Sequence, residues 1–194
     1  VFGGNIPLGA GMSSSAAMEC GFGMALSEYH LLKVPPIELV RMAQWAEHHF
    51  VGVKCGIMDQ FASVMGKQGN VIVLDCRSLK HNYAPLDLRD YCIILCDTKV
   101  KHSLVDSQYN ARRHECETVV KILQKHYPQV KSLRDVSIEM LRPHRVEFSE
   151  KVYDRCLYVV QEIASVKEAS ADLSEGDLVA FGTKMFETHD GLSH

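Results

Sequence analysis

A short segment near the start of the chain, residues 5–17, constrains the fold more than any other. It reads Asn-Ile-Pro-Leu-Gly-Ala-Gly-Met-Ser-Ser-Ser-Ala-Ala, with two glycines followed by three consecutive hydroxyl residues. Two apolar residues open the chain before it, and a run rich in Ala, Met and Leu follows over residues 16–32. This order predicts the end of a strand, a tight loop and the first turn of a helix.

A loop of this composition can bind an anion. Glycine lets the backbone come close to a ligand, and the first N–H groups of a helix have no partner within the helix. The helix dipole adds about half a positive charge at the same end. The segment lacks both the Lys-Ser/Thr pair of a Walker loop and the Gly-x-Gly-x-x-Gly of a dinucleotide fold. Alone, it leaves phosphate binding and an ordinary capped helix start equally open.

Composition excludes several classes of function. The 194 residues are 46% hydrophobic and 23% charged, enough to bury a core in one large or two small domains. The net charge of −3 argues against nucleic-acid binding, and no apolar run reaches the length of a membrane span. Seven scattered cysteines without a Cys-x-x-Cys pair favour free thiols in a reducing compartment such as the cytoplasm, not disulfides or a zinc site.

Periodicity and turn residues predict the elements. Helices are predicted over residues 14–31, 37–52, 58–65, 103–125, 150–171 and 175–189, and strands over 71–75 and 91–97. The second helix should bury Leu39, Met42, Ala43, Ala46 and Phe50, and the fourth Cys116, Val119, Val120 and Leu123.

Three serines are N-cap candidates for the later helices, and a polar stretch between the two strands is a candidate linker. Ser103, Ser149 and Ser174 each precede a predicted helix.

Residues 77–90 are polar and contain proline, so we expect them to link two domains. The chain begins without Met and stops abruptly, so we expect a piece of a longer protein.

Several residues have the chemistry that phosphoryl transfer requires. The reaction needs positive charge, a metal ion and a group that orients the attacking oxygen. Ser14 or Ser15 can give a hydroxyl and Glu47 a carboxylate to Mg²⁺, and Asp59 can accept a hydrogen bond from a substrate hydroxyl. Position alone favours structural roles for both carboxylates, with Glu47 as a solvated helix residue and Asp59 as a helix cap. No residue stands out as the source of the positive charge.

Other polar residues favour structural roles. His48 and His49 are adjacent, so on a helix they point in different directions and make a poor metal pair. Arg112 and Arg113 fit an exposed helix face, and Tyr109 a core or rim aromatic.

Read together, the motifs are far more specific. Residues 7–17 closely resemble the phosphate loop of the GHMP sugar and metabolite kinases. Further motifs resemble the galactokinase family, in the same order and at similar spacing. They are Glu-His at 47–48, Cys-Gly-Ile-Met-Asp-Gln at 55–60, Asp-Cys-Arg-Ser-Leu at 75–79, and His-Ser-Leu at 102–104 followed by Tyr109 and the two arginines. The resemblance covers essentially the whole chain.

The resemblance implies an incomplete α+β, two-domain GHMP kinase fold. Residues 1–88 would be part of the N-terminal domain, which is like domain 2 of ribosomal protein S5, and residues 89–194 part of the ferredoxin-like C-terminal domain. The active site would lie between them. The family also carries an upstream arginine, an upstream Glu-His-x-Asp-type sugar-binding segment and a C-terminal Gly-rich motif, none of which is in this sequence.

The resemblance also implies the activity and the site residues. The reaction would be MgATP-dependent phosphorylation of α-D-galactose at its 1-hydroxyl. Asp59 would face that hydroxyl as base or electrostatic anchor, Gly56 and Tyr109 would line the galactose pocket, and Ser15 and Glu47 would ligate Mg²⁺. The nucleotide phosphates would be wrapped by Gly9, Ala10, Gly11, Met12, Ser13, Ser14, Ser15 and Ala16.

Three alternatives stay open. The chain can belong to another GHMP kinase, of the N-acetylgalactosamine or mevalonate type, or to a galactokinase-like sensor that binds without turnover, although such sensors alter the Ser-Ser-Ala-Ala run that is intact here. It can also be a piece with no activity of its own. As partners we expect only small molecules, galactose and ATP, with no nucleic acid or membrane, and we expect a monomer.

Overall fold

The computed structural model describes residues 3–7, 11–96 and 108–193. Two compact units, Val1–Tyr109 and Asn110–His194, divide the chain. The helices and strands are α1 Ser14–Tyr29, α2 Pro36–Ala46, a π-helical turn Glu47–Val51, α3 Met58–Met65, β1 Asn70–Leu74, β2 His81–Pro85, α4 Gln108–Leu123, a 3₁₀ turn Leu133–Asp135, α5 Ile138–Leu141, a second 3₁₀ turn Arg142–Glu147, α6 Glu150–Glu175 and α7 Leu178–Ser193. The domain boundary near residue 88 stays a prediction.

The first unit is built on three helices that pack against one another. Helix α1 contacts both α2 and α3, and α2 contacts α3. Pro36 occupies the first turn of α2, where its missing N–H costs nothing. Gly52, with φ of 83°, follows the π-helical turn in the left-handed conformation that glycine tolerates. Val40, Ile57 and Phe61 form the buried centre of this unit.

A hairpin covers the outer side of that core, and it corrects one expectation. Residues 77–90 are not simply a linker, because β2 lies within them and pairs antiparallel with β1, with Leu74 opposite His81. The strand escapes hydropathy analysis because its inward side chains are polar aromatics. The His81 ring meets Phe61 edge-on at 5.0 Å, and the Tyr83 hydroxyl donates to the Met65 carbonyl at 2.7 Å.

The second predicted strand is wrong over the residues that the structure describes. Residues 91–96 form no strand and are exposed, with Ile94 76% and Leu95 65% accessible. An apolar run becomes a strand only if a neighbouring backbone pairs with its N–H and C=O groups. In the described part of the chain the sheet contains β1 and β2 alone. Asp97 lies outside the described residues.

The second unit has its own core, centred on α4 and α6. The predicted inner stripe of α4 is confirmed, since Val119, Val120 and Leu123 are buried and Cys116 packs against them. Other members of this core come from the turns and from α6, and they are Val130, Leu133, Val136, Leu141, Tyr153, Cys156 and Val160. Ser103, with the predicted first turn at residues 103–107, lies outside the described residues.

One of the two remaining N-cap predictions is confirmed and the other is wrong. The Ser149 hydroxyl accepts from the Val152 N–H and caps α6. Ser174 instead lies inside α6, where its hydroxyl donates to the Ser170 carbonyl at 2.8 Å. The cap of α7 is Asp177, whose carboxylate accepts from the Ala180 N–H at 2.9 Å. Helix α6 runs on to Gly176, which ends it in the left-handed conformation.

All seven cysteines belong to the described residues and are unpaired, as predicted. Over the described ranges, none of the helices combines the length and the apolar character needed to cross a membrane.

Candidate functional site

The start of α1 is the first part of the candidate site. Ser13 holds the N-cap position in the left-handed conformation, with φ of 51° and ψ of 44°, and its side chain makes no capping hydrogen bond. Gly11 is left-handed as well, with φ of 74°. The predicted alternative of an ordinary serine cap is therefore not what the described residues form. The N–H groups of the first turn stay available to an anion.

Leu8, Gly9 and Ala10 lie outside the described residues. Of the predicted phosphate loop, the structure describes Gly11, Met12, Ser13, Ser14, Ser15 and Ala16. Ala16 is buried, whereas Gly11 and Met12 are exposed. The loop therefore reaches the surface at the point where α1 begins.

Glu47 lies on the buried side of α2 and its π-helical continuation. The predicted apolar stripe is only partly right, because Met42 and Phe50 are 59% and 80% exposed. Leu39 and Ala43 are buried as predicted, but the buried face continues through Val40, Ala43 and Glu47, and Glu47 itself is only 4% exposed. Spacing of three and four residues places these three on one face.

The Glu47 carboxylate has neither a hydrogen bond nor an ion pair to any residue that the structure describes. Since Glu47 is buried, it is not the solvated helix residue of the alternative interpretation.

Glu19 is a second carboxyl group at the same place, and the sequence analysis missed it. Its Oε2 atom is buried and has no hydrogen-bond partner. Burial raises the pKa of Glu19 to about 7, and the negative charge of Glu47 contributes to the same rise. Glu19 lies one helical turn after Ser15, on the same face of α1. That spacing was a signal available in the sequence.

Two side chains of α2 and its continuation hold the loop before α3. The Cys55 carbonyl accepts hydrogen bonds from Gln44 Nε2 at 3.3 Å and from His48 Nε2 at 2.8 Å. His49 turns the other way, with Nδ1 2.8 Å from the Trp45 carbonyl and its ring stacked on Trp45. Both histidines therefore have the structural roles that the sequence predicts.

The Cys55 thiol shows that the carboxylates are close together. Burial raises its pKa, and the nearby charges of Glu47 and Asp59 raise it further, against the lowering effect of a hydrogen bond from Gln60. Two carboxylates that both act on one thiol share one neighbourhood. Glu47 and Asp59, twelve positions apart in sequence, thus both lie near the Cys55 thiol.

Helix α3 carries Asp59 next to α1. Asp59 is half-buried in the first turn of α3, and no side chain caps that helix. The Cys20 thiol of α1 donates to the carbonyl of Gln60, the residue after Asp59, at 3.7 Å. The alternative role of Asp59 as a helix cap is therefore not seen.

The two residues predicted to line the sugar pocket contact each other directly. The Gly56 N–H donates to the Tyr109 hydroxyl at 3.1 Å across 53 positions of sequence, within the first unit. Tyr109 is 46% exposed, so its ring is accessible to a ligand. Arg113 pairs with Glu117 at 3.0 Å on an exposed helix face, which fits the structural interpretation.

The donor set fits a hard divalent cation. In the ranges that the structure describes, no lysine or arginine pairs with Glu19, Glu47 or Asp59. Among the described residues, the buried Oε2 atom of Glu19 has no hydrogen-bond partner, and the nearby Glu47 side chain is buried. Mg²⁺ prefers one or two carboxylates together with phosphate oxygens and water. The residues present therefore match its requirements.

Comparison with known proteins shows what this chain is similar to. Residues 1–67 match the family described as GHMP kinases N terminal domain. The chain is 45% identical over 188 residues to galactokinase of Thermotoga maritima, covering 97% of this chain and 51% of that protein. It is 40% identical over 193 residues to galactokinase of Fusobacterium nucleatum, covering 99% and 50%.

A solved structure of a galactokinase is also similar to this chain. The crystal structure of Lactococcus lactis galactokinase complexed with galactose matches with a TM-score of 0.90 at 34% identity, covering 98% of this chain and 49% of that one. The chain spans about half the length of the curated relatives it matches.

Proposed function

We propose that this chain, which is related to the galactokinases and has the α+β GHMP kinase fold, is part of an enzyme that phosphorylates α-D-galactose with ATP. The reaction transfers the terminal phosphoryl group of ATP to the 1-hydroxyl of the sugar and releases ADP. The observation that carries the proposal is the hydrogen bond from the Gly56 N–H to the Tyr109 hydroxyl, which joins two predicted sugar-binding residues in the unit that also contains Glu47 and Asp59.

The nucleotide phosphates would bind at the start of α1. The residues in this role are Gly9, Ala10, Gly11, Met12, Ser13, Ser14, Ser15 and Ala16. Support comes from the helix end itself, which no described side chain caps. Its N–H groups and dipole favour negative charge there.

Ser15 and Glu47 would hold Mg²⁺. When bound, the ion supplies positive charge that offsets the charge of the phosphate groups. Glu47 contributes a buried carboxylate without a described partner, and Ser15 contributes a hydroxyl in the first turn of α1. Neither side chain needs to break a described hydrogen bond to take this role.

Asp59, Gly56 and Tyr109 would bind galactose. Asp59 would accept the hydrogen of the 1-hydroxyl and so aim its oxygen at the phosphorus, as base or as electrostatic anchor. The Gly56 N–H and the Tyr109 hydroxyl already form a polar pair that a sugar hydroxyl can join. Aromatic rings such as that of Tyr109 also present an apolar face to sugar C–H groups.

A coupled ADP-release assay of the full-length protein tests the proposal. With MgATP, galactose should support turnover, whereas N-acetylgalactosamine and mevalonate should not. Turnover with either of the other two would assign the protein to another GHMP kinase type. A galactose-dependent thermal shift without ADP release would make it a sensor. We expect the protein to be cytoplasmic and monomeric. Light scattering of the purified protein tests its oligomeric state.

A further inference from the structure

A cluster of two histidines and a glutamate belongs to the second unit, whereas every residue assigned to phosphoryl transfer belongs to the first. Glu147 Oε1 is 2.7 Å from His144 Nδ1 and 3.3 Å from His126 Nε2. The ligand atoms of all three residues lie within 4.8 Å of one another. The two imidazole rings are stacked, with centroids 4.1 Å apart and planes inclined by 29°.

The backbone of this region accounts for the cluster. His144 and Glu147 are three residues apart in the 3₁₀ turn Arg142–Glu147, where side chains at that spacing stand one above the other. His126 lies in the turn after α4, and its N–H donates to the carbonyl of Leu123, a fully buried core residue. The three side chains thus project from segments whose backbone is fixed.

Packing also holds the histidine rings. The Tyr127 ring meets the His144 ring edge-on at 5.7 Å, and Tyr127 itself packs against the core of the second unit. The His144 side chain is only 14% exposed, whereas His126 and Glu147 are 42% and 35% exposed. An ion from solvent can therefore reach a site whose innermost ligand is already oriented.

One separation matches that of a tetrahedral metal site, since Glu147 Oε1 lies 3.3 Å from His126 Nε2, and the shorter contact of 2.7 Å between Glu147 Oε1 and His144 Nδ1 would lengthen when an ion binds. Ligand atoms that lie about 2.0–2.1 Å from Zn²⁺ at tetrahedral angles are about 3.3 Å from one another. Two imidazole nitrogens and one carboxylate oxygen form a donor set suited to Zn²⁺ or Co²⁺, and a poor one for Mg²⁺ or Ca²⁺. We propose that His126, His144 and Glu147 bind a zinc-class divalent cation and leave a fourth position open to water.

The charges around the cluster are compatible with this role. The hydrogen bond from His144 lowers the pKa of the Glu147 carboxyl, and the charges of His126, His144 and Lys125 lower it further. Metal binding requires an ionised carboxylate and neutral imidazoles. On binding, a neutral His144 would carry its proton on Nε2 and offer Nδ1 to the ion, and any imidazole that was protonated beforehand would release its proton to solvent.

Isothermal titration of the purified protein with Zn²⁺ tests the proposal. Exposed thiols at Cys76, Cys92 and Cys96 would compete for the ion, so they are alkylated first. We expect one strong site, and we expect the isosteric change Glu147→Gln and the size-matched change His144→Gln each to weaken it by at least about tenfold. His114→Gln, an exposed histidine on α4, is the matched control and should bind as the parent does.

The Co²⁺ spectrum identifies the ligands independently of affinity. Tetrahedral d–d bands without a thiolate-to-metal charge-transfer band would support the site, and these bands should vanish in the His144→Gln variant. The absence of saturable Zn²⁺ binding in the alkylated protein, or equal binding in the Gln variants and the control, would overturn the proposal. Thermal unfolding of each variant without metal shows whether it is folded.

Discussion

Glu19 carries the most perturbed carboxyl group near the candidate active site. Its pKa is raised to about 7 from an ordinary value of 4.5, first by burial and then by Glu47. A carboxyl group with a raised pKa keeps its proton in the folded protein over a range where the unfolded chain has lost it. Stability therefore falls as pH rises from 4.5 towards 7, and the penalty persists above that range.

Glu19→Gln should remove this penalty. Because the carboxyl group is partly accessible to solvent, we expect the variant to gain only about 1–2 kcal/mol of unfolding free energy over the parent at about pH 8, and little at about pH 4. Urea denaturation in Mg²⁺-free buffer at the two pH values measures the difference. Glu28→Gln, on the same helix but exposed, is the matched control. A Glu19→Gln variant without a pH-dependent gain would contradict the assigned environment.

Ser15→Ala tests the predicted metal ligand at the start of α1. Loss of the hydroxyl should raise the Mg²⁺ concentration needed for half-maximal ADP release by about tenfold, because a ligand oxygen is lost. A magnesium titration of the full-length protein with saturating ATP and galactose measures this. Ser63→Ala, which removes an exposed hydroxyl from α3, should leave the titration unchanged. An identical curve for Ser15→Ala would remove Ser15 from the metal site.

At the scale of single residues, sequence patterns predict which residue types can act, but not how deeply they are buried or what surrounds them. Glu47 and Asp59 were candidates from chemistry alone, but their burial and common neighbour depend on packing between helices. Val40 and Ala43 are buried in α2, and Glu47 follows Ala43 by four positions, so helical periodicity places Glu47 on the same buried side. The spacing of Glu19 from Ser15 is visible in the sequence, but the burial of Glu19 beside Glu47 depends on packing between helices.

At the scale of helices and strands, one prediction concerns the cap of α7. Asp177 caps α7, so Asp177→Ala should cost about 1 kcal/mol of unfolding free energy. Ser174→Ala is the matched control and should change stability by less than about 0.5 kcal/mol, since its hydroxyl only bonds within α6. Urea denaturation of both variants measures the difference. A larger loss for Ser174→Ala than for Asp177→Ala would contradict the position of the helix boundary.

Helices were predictable from local sequence, whereas only one of the two predicted strands, 71–75, corresponds to an observed strand, β1. Helix α4 buries the predicted stripe because its hydrogen bonds and its apolar face both come from one segment. Strand β2 formed in a polar segment because β1 is there to pair with it, whereas residues 91–96 have no such partner among the described residues. Pairing is a property of two segments, and hydropathy within one segment does not determine it.

For the whole molecule, the order of motifs was more informative than any single motif. The Gly-Ser loop alone left two interpretations equally open, and Asp59 alone favoured a helix cap. Their ordered spacing with Gly56 and Tyr109 predicted the family, which the comparisons bear out. A direct hydrogen bond between Gly56 and Tyr109 then joins positions that no local pattern connects.

The central claim is that Asp59 acts on a sugar hydroxyl while the start of α1 holds the nucleotide, and Asp59→Ala in the full-length protein tests it most directly. ADP release with galactose should fall by at least about 100-fold, because the group that orients the attacking oxygen is lost. The dissociation constant of MgATP should stay within about twofold of the parent's, since Asp59 belongs to the sugar side of the site. Near-normal turnover in a variant that still binds MgATP would contradict the account.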